Sequence, residues 1–322
     1  MYILKNNHKF FGIFCILIAQ LLFSIQDMVI KYLSSNYALH QIIFIEAIAA
    51  FLITFLILVP LEGGFNNLRT NRIKIHLLRG LGIVIVDIFF FTAISSLPLS
   101  DVVTIFFVAP LFISLLSIIL LREKVFPSSW IAIIVGFIGV ITMFRPGIAE
   151  FNPINLLPLI AAFSYAFVQI LARKLGKKEK ASTMTFYVLL HIIIVSGISG
   201  IFLGNGRFYE MSNPSTHFLF RAWQLPTFFD YFLLIGIGVV YALASYFISQ
   251  AYRISHPSTI APFEYAAVPF SIIWSILIFK DIPDIFAWIG FFLITSSGVF
   301  VVYTKSDNIG QNYLSRSISK KN

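Results

Sequence analysis

The chain has 322 residues, of which 58% are hydrophobic and only 11% are charged. A soluble domain carries about 25% charged residues, and a soluble chain this apolar would expose large sticky patches. The composition therefore excludes an ordinary soluble protein and indicates that lipid is the solvent. The formal net charge is +9, but Lys and Arg stand between apolar runs, which indicates membrane topology and not nucleic-acid binding.

Ten apolar runs are long enough to cross a bilayer, for which a helix needs about 20 residues. The first run is too long for a signal-peptide core and has no small-residue cleavage site, so we expect it to be retained. The only cysteine, Cys15, excludes an internal disulfide and is interpreted as a packing residue. The predicted spans are residues 10–30, 39–61, 75–95, 99–121, 127–144, 154–173, 182–203, 228–250, 259–279 and 284–303.

The basic residues orient these spans. With the N-terminus in the cytoplasm, 18 of the 23 Lys and Arg residues fall in inside segments and 5 in outside segments. This is the positive-inside bias of membrane proteins. It predicts a multi-pass protein of a bacterial inner membrane with both termini cytoplasmic, residues 1–9 as an N-terminal segment and 305–322 as a basic tail. The outside connection 204–226 is either a plain loop or partly an interfacial helix.

The chain repeats itself weakly. Near the start of each half, a shift of 142 residues pairs Phe23 with Tyr165 and Lys31 with Arg173. Each predicted half, 10–147 and 153–304, holds five spans, so the halves must cross the membrane in opposite orientations. Inverted repeats are typical of secondary carriers, which bind substrate between the halves near the midplane. A shift of 159 residues gives further matches: Pro98 with Pro257, Pro110 with Pro269 and Gly139 with Gly298.

Four segments resemble a known family. They are Arg79-Gly80, the run AISSLPLSDVVTIFFVAPLFISLLSIILL from Ala93, GFIGVITMFRPG from Gly136 and APFEYAAVPFSIIWSILIFKDIPD from Ala261. Together they resemble the EamA-type carriers of the drug/metabolite transporter superfamily, over roughly residues 12–303. The resemblance implies an all-α integral membrane fold of ten helices in two inverted five-helix repeats, which works by alternating access.

The resemblance also bears on the substrate. Family members move amino acids, nucleotide-like metabolites, vitamins or drugs, and some similar carriers take up S-adenosylmethionine. This sequence departs from the family at two places. Glu46 stands in the second span, where members often have a basic residue, and Lys280-Asp281 replaces the acidic residue common after the ninth span. These departures leave the charge of the substrate and the coupling ion open.

Polar side chains within spans are costly in lipid and usually face a cavity or a partner. Gln20, Ser24, Asp27 and Lys31 follow one face of the first span. They either line a substrate cavity or form an interhelical hydrogen-bond seam in which Asp27 pairs with Lys31. A matching polar face in the sixth span gives further substrate-binding candidates, Tyr165 and Gln169.

Buried carboxyl groups are candidates for proton coupling. Glu46 and Asp87 lie within the second and third spans, where a carboxyl group is either protonated or paired. Glu264 follows Pro262 in the ninth span, where a proline frees a backbone carbonyl and kinks the helix. The resemblance places this segment along the central cavity, so Glu264 is a candidate both for holding an amine group and for coupling.

Tyrosines complete the predicted substrate site. Tyr241 and Tyr246 in the eighth span and Tyr265 beside Glu264 are placed to sandwich a planar or cationic ligand. Ordinary packing is the alternative for each of them.

Motifs of other protein classes are absent from the sequence. It has no phosphate-binding loop, no HExxH or Cys/His metal spacing and no GxSxG, so we predict no cofactor, no metal and no enzymatic activity. The predicted function is secondary active transport of a small amine-bearing metabolite, such as an amino acid or a molecule like S-adenosylmethionine, with proton coupling as one mechanism. An integral membrane enzyme acting on a lipid-linked substrate and a non-transporting scaffold are the alternatives. The expected partners are the substrate and membrane lipids, and a monomer or homodimer is compatible.

Overall fold

The computed structural model describes residues 2–122, 127–144, 153–176, 178–208 and 214–280, with 285–286, 288–290, 292–293, 296–297 and 300. This part of the chain is helical and contains no strand. The helices are α1 (Tyr2–Leu33), α2 (Leu39–Leu61), α3 (Ile73–Ser96), α4 (Leu99–Phe106), α5 (Ala109–Leu121), α6 (Pro127–Phe144), α7 (Leu156–Leu175), α8 (Ala181–Leu203), α9 (Pro214–Phe220), α10 (Phe228–Ile254) and α11 (Pro257–Phe279).

Seven described helices are long and apolar enough to cross a membrane: α1, α2, α3, α7, α8, α10 and α11. They correspond to seven predicted spans, although α1 begins at Tyr2, before the predicted start of its span. The predicted span 99–121 is not one continuous helix. The chain forms α4 and α5 with a break at Phe107 and Val108, because Pro110 has no N–H and starts a new helix in its first turn.

The predicted fifth and tenth spans are not among these seven helices. Helix α6 coincides with the predicted fifth span, but its apolar stretch, Trp130–Gly139, is short. The predicted tenth span, 284–303, and the basic tail, 305–322, lie largely or entirely outside the described residues. The count of ten therefore stays a prediction. The connection 204–226 contains α9, so it is partly helical.

The described helices pack in a reciprocal pattern across the two segments predicted as halves. Helix α1 runs along α10, and α3 runs along α7. Helix α2 packs against α10, and α3 packs against α8. Helix α1 also contacts α11, while α5 contacts α7. In each of these three pairs of contacts, replacing both helices by their counterparts in the other segment converts the first contact into the second.

A fully buried arginine fastens α3 to the second segment. Arg79 is 2% exposed, and its guanidinium donates to the Met184 carbonyl at 2.9 Å and to Ser249 Oγ at 2.8 Å. Helices α8 and α10 supply these two acceptors. The arrangement satisfies part of a costly buried charge with neutral oxygens, and it holds three helices together.

Polar contacts tie the two segments at one end of the bundle, where α2 joins α3 and α7 joins α8. Glu62 accepts from the Ser182 amide at 2.8 Å and lies 3.8 Å from Arg253. Thr70 donates to Glu179 at 2.6 Å. We call this the inner end, because the charge distribution predicts that it is cytoplasmic.

The opposite, outer end is tied by the α1–α2 connection and the segment around α9. The Tyr37 hydroxyl donates to Asp230 at 2.6 Å, and the Gln41 amide donates to the Gln224 carbonyl at 2.5 Å. Burial and the hydrogen bond to Asp230 raise the pKa of Tyr37. Arg221 donates to the Ser35 carbonyl at 2.6 Å. Both ends of the bundle are therefore closed by contacts between the two segments.

Small residues allow close helix approach in this bundle, as in other membrane proteins. A Cβ added at Gly238 of α10 would collide with Ala49 Cβ and the Glu46 carbonyl of α2. A Cβ added at Gly236, two residues earlier on the same helix, would meet nothing within 4 Å. The two glycines therefore differ only in what faces them.

We predict that Gly238→Ala lowers the thermal unfolding temperature of the purified protein, because α2 and α10 must separate to admit the methyl group. Gly236→Ala is the matched control and leaves this temperature unchanged or raises it, since Ala is a better helix former by about 1 kcal/mol. Equal unfolding temperatures for the two variants would contradict the described α2–α10 packing.

Candidate functional site

A central cavity lies between the helices. It is bounded by α1, α3, α4, α7, α10 and α11, so both segments contribute to its wall. The lining residues are Gln20, Phe23, Gln26, Asp27, Ile83, Val86, Asp87, Phe90, Phe91, Val103, Phe106, Phe107, Tyr165, Tyr241, Glu264 and Ala267.

Glu264 stands where α11 departs from regular α-helix. Pro257 and Pro262 lack amide protons, and the segment Ala261–Ala266 adopts the tighter 3-10 conformation. This conformation places the Glu264 side chain at the cavity wall, where it is only 3% exposed.

Three side chains from three other helices donate to the Glu264 carboxylate. Gln20 Nε2 donates at 3.1 Å, and the Tyr165 hydroxyl lies 3.0 and 2.9 Å from the two carboxylate oxygens. The Tyr252 hydroxyl donates at 2.5 Å. The predicted candidates Gln20, Tyr165 and Glu264 thus form one cluster, in which both carboxylate oxygens are hydrogen-bonded.

Asp27 and Asp87 face the same cavity from α1 and α3. In the part of the chain that the structure describes, neither carboxylate has a hydrogen bond or an ion pair. The nearby base Lys31 donates instead to the Leu97 carbonyl at 3.0 Å and lies over the Phe279 ring. The structure therefore does not support the Asp27–Lys31 pair that the sequence offered as an alternative.

Glu46 lies behind the cavity wall. It is 3% exposed and accepts from Gln26 Nε2 at 2.5 Å. Gln26 itself lines the cavity, so it separates Glu46 from the main space. A small cleft beside the cavity is lined by Glu46 and by Gln26, Asp87 and Tyr241, which also line the cavity.

Aromatic rings make up much of the remaining wall. Phe106 packs against Tyr165 and Phe90, with centroid distances of 5.3 and 5.0 Å. Phe23 meets Tyr241 edge to face at 6.1 Å. The cavity therefore combines an aromatic surface with carboxylates, and among its described lining residues there is no Lys, Arg or His.

Four predicted site residues lie elsewhere and do not line this cavity. The Trp274 indole donates to Ser24 at 3.0 Å, so Ser24 joins α1 to α11. Gln169 is buried between helices, at 1% exposure. Tyr246 donates to Glu62 at 3.2 Å in the inner-end network. Tyr265 packs its ring on Phe107 at 5.6 Å.

Sequence reasoning missed several members of the site. Gln26 lies beside the polar face of α1 and not on it, so the stripe did not single it out. The phenylalanines of α3 and α4 line the cavity, yet nothing in the sequence separates them from lipid-facing phenylalanines. Tyr252 shared a helical face with Tyr241 but was not included as a site residue, because its distance from Glu264 depends on the turn between α10 and α11.

We predict that Tyr252→Phe destabilises the protein by about 1–3 kcal/mol, because a buried carboxylate loses a hydrogen-bond donor. Denaturant unfolding in detergent measures this change. The matched control is Tyr231→Phe on the same helix, where the side chain is 40% exposed and loss of the hydroxyl is expected to be neutral. Equal stability of both variants would show that the Tyr252 hydroxyl contributes nothing to the Glu264 cluster.

Sequence comparison gives two matches to one family profile. The profile is described as the EamA-like transporter family, and it matches residues 10–145 and again residues 152–304. The two matches together cover most of the chain.

Individual relatives have transport names. The chain is 29% identical to the riboflavin transporter of Vibrio cholerae, over 92% of this chain and 94% of that protein. It is 27% identical to the S-adenosylmethionine uptake transporter of Rickettsia prowazekii, over 95% of this chain and 97% of that protein. A riboflavin transporter of Brucella anthropi is 27% identical over 81% of this chain and 87% of that protein.

A solved crystal structure has a similar fold. It superposes with a TM-score of 0.70 at 15% sequence identity, covering 93% of this chain and 97% of the other. At this identity the similarity concerns the fold alone.

Proposed function

The chain belongs to the EamA-like transporter family, and we propose that it is a secondary active carrier that takes up a small metabolite across a bacterial inner membrane by alternating access. The central cavity is the proposed substrate site. The two segments matched by the family profile are the proposed inverted repeats, each with five membrane spans. Both termini are cytoplasmic in this proposal.

The reciprocal helix packing supports the inverted relation. The α1–α10 and α3–α7 pairs exchange when the two segments are exchanged, as a two-fold axis between the halves requires. In carriers of this kind the substrate site lies at the interface of the repeats. The central cavity has this position, since α1, α3 and α4 meet α7, α10 and α11 around it.

One pair of hydrogen bonds carries the proposal. Lys31 of α1 donates to the Leu97 carbonyl after α3, at 3.0 Å. Arg173 of α7, which the internal repeat aligns with Lys31, donates to the Arg253 carbonyl near the end of α10, at 2.9 Å. The first bond lies at the outer end and the second at the inner end. Equivalent closures on opposite sides of one cavity are what alternating access between inverted halves requires.

The relatives narrow the substrate proposal. Riboflavin and S-adenosylmethionine, the substrates in the relatives' names, are both small molecules that contain a planar nitrogen heterocycle. The aromatic wall of the cavity suits such a ring, and its carboxylates suit an amine-bearing or otherwise cationic group. We therefore include molecules like S-adenosylmethionine and amino acids among the proposed substrates.

Carboxyl groups of the site are the proposed coupling residues. A carboxyl group within a bilayer must be protonated, paired or strongly hydrogen-bonded. In the proposed cycle, such a group takes up or releases its proton according to the side of the membrane to which the cavity opens. Glu264, Asp87 and Glu46 are in or beside the cavity. Coupling of substrate uptake to the proton gradient through these groups is the proposed driving mechanism.

The proposal is tested by uptake of radiolabelled riboflavin and S-adenosylmethionine into proteoliposomes with an imposed pH gradient. We expect one of them, or a competing amine-bearing metabolite, to accumulate above its outside concentration only when the gradient is present. A membrane enzyme would instead convert an added lipid-linked substrate, and a scaffold would give neither result. Absence of uptake and of competition across a panel of small metabolites would contradict the carrier proposal.

We predict that Glu264→Gln abolishes gradient-driven accumulation or leaves only equilibrating exchange, because the amide cannot take up and release a proton. The measurement compares net uptake with counterflow from preloaded liposomes. Asp307→Asn, in the predicted basic tail and outside the predicted spans, is the control and should retain gradient-driven accumulation. Full gradient-driven uptake by the Glu264 variant would remove Glu264 from the coupling mechanism.

A further inference from the structure

The carboxyl groups around the central cavity fall into two kinds. Glu264 accepts hydrogen bonds from side chains on three helices, and Glu46 accepts one from Gln26. These two groups are bound to the protein itself. Asp27 and Asp87 have no such partner among the described residues, and both face the open space. In the second kind, both oxygens of each carboxyl group are left for a ligand.

Among the described residues that line the central cavity, none brings a positive charge to Asp27 and Asp87. None of the described lining residues is basic, and the nearest base on α1, Lys31, is bound to the Leu97 carbonyl at the outer end. Arg79 is buried on its own acceptors in α8 and α10. Two carboxylates that face one low-dielectric space are stabilised when a cation enters between them.

Aromatic rings form another part of the cavity wall. Phe90 and Phe106 pack edge to face at 5.0 Å, and Phe106 also meets Tyr165. Phe23 and Tyr241 form a second aromatic pair near Asp27 and Asp87. Such rings bind the face of a planar heterocycle, and they also attract a positive centre.

We infer that Asp27 and Asp87 together bind a positively charged centre of the substrate, while the phenylalanine wall binds a planar ring joined to it, so that the site selects a cationic heteroaromatic metabolite over a neutral one. This inference rests on the proposed function, because it assigns the central cavity as the substrate site. It makes Asp27 and Asp87 the residues that determine specificity, and it gives Glu264 a structural or coupling role.

Matched probes separate the effect of charge from that of shape. S-Adenosylmethionine carries a methyl group on a positively charged sulfonium sulfur. S-Adenosylhomocysteine differs only in lacking this methyl group and the sulfonium charge. Riboflavin provides a neutral planar ring. Each probe is titrated against the purified full chain in detergent, and binding is read from the rise in thermal unfolding temperature, since a ligand that binds the folded state stabilises it.

We expect S-adenosylmethionine to bind the wild-type protein at least about 10-fold more tightly than neutral riboflavin, because riboflavin has no positive charge to contact Asp27 and Asp87. S-Adenosylhomocysteine, which keeps the ammonium group, shows whether the sulfonium is the bound cation. Asp27→Asn and Asp87→Asn should each weaken the binding of S-adenosylmethionine by about 30-fold or more. Asp230→Asn, at the outer end and away from the cavity, is the charge-matched control and should bind with unchanged affinity.

Three results would overturn the inference. One is neutral riboflavin binding as tightly as S-adenosylmethionine, or no binding of S-adenosylmethionine. Another is unchanged sulfonium affinity in both Asn variants. The third is an equal stabilisation by sodium chloride alone, which would assign the two carboxylates to a metal cation. Asp27→Glu and Asp87→Glu, which retain the charge, serve where an Asn variant does not fold, and they should keep the preference for the charged probe.

Binding and transport fail separately in this design. A protein that binds the cationic probe through Asp27 and Asp87 but does not move it across liposomes would refute the carrier proposal alone. A protein that accumulates neutral solutes, with no preference for the charged probe, would refute only the inference about specificity.

Discussion

A carboxylate surrounded by lipid and helices must find hydrogen-bond donors or a counter-charge, and Glu264 meets this requirement with donors from α1, α7 and α10. The cluster fixes the irregular segment of α11 against three other helices. It also shapes the cavity, because Gln20, Tyr165 and Glu264 all line it. The remaining carboxylates, Asp27 and Asp87, then face the cavity without partners in the described part of the chain.

The second constraint is the relation between the two family-matched segments. Their helices pair reciprocally. Lys31 of α1 donates to a carbonyl just after α3, and Arg173 of α7 donates to a carbonyl near the end of α10. One closure lies at each end of the bundle. In the proposed alternating access, loss of one closure and retention of the other would open the cavity to one side only.

Much of the fold could be predicted from the sequence, because a membrane span is a long apolar run and these are visible by composition. The break between α4 and α5 was also encoded, in Pro110, but the continuous hydrophobicity of 99–121 concealed it. Of the site, Gln20, Asp27, Asp87, Tyr165, Tyr241 and Glu264 were predicted and do line one cavity. Their roles within it remain proposals.

What the sequence could not show is how polar groups pair across helices. Ser24 and Tyr246 follow polar helical faces, yet one contacts Trp274 and the other contacts Glu62 near the inner end. Glu264 was the foremost candidate for binding an amine, but both of its carboxylate oxygens accept hydrogen bonds from protein side chains. Helical periodicity identifies a face, whereas the partner on that face depends on packing between segments far apart in sequence.

The proposed function requires that one cavity is reached alternately from the two ends of the bundle. In a background where Cys15 is replaced by Ala, a cysteine at the cavity residue Val103 reports access through reaction with a membrane-impermeant thiol reagent. We expect this cysteine to be labelled in both right-side-out and inside-out vesicles. Lys31→Met should raise the labelling rate in right-side-out vesicles, and Arg173→Met should raise it in inside-out vesicles. Labelling from one side only, or the same shift from both variants, would contradict alternating access.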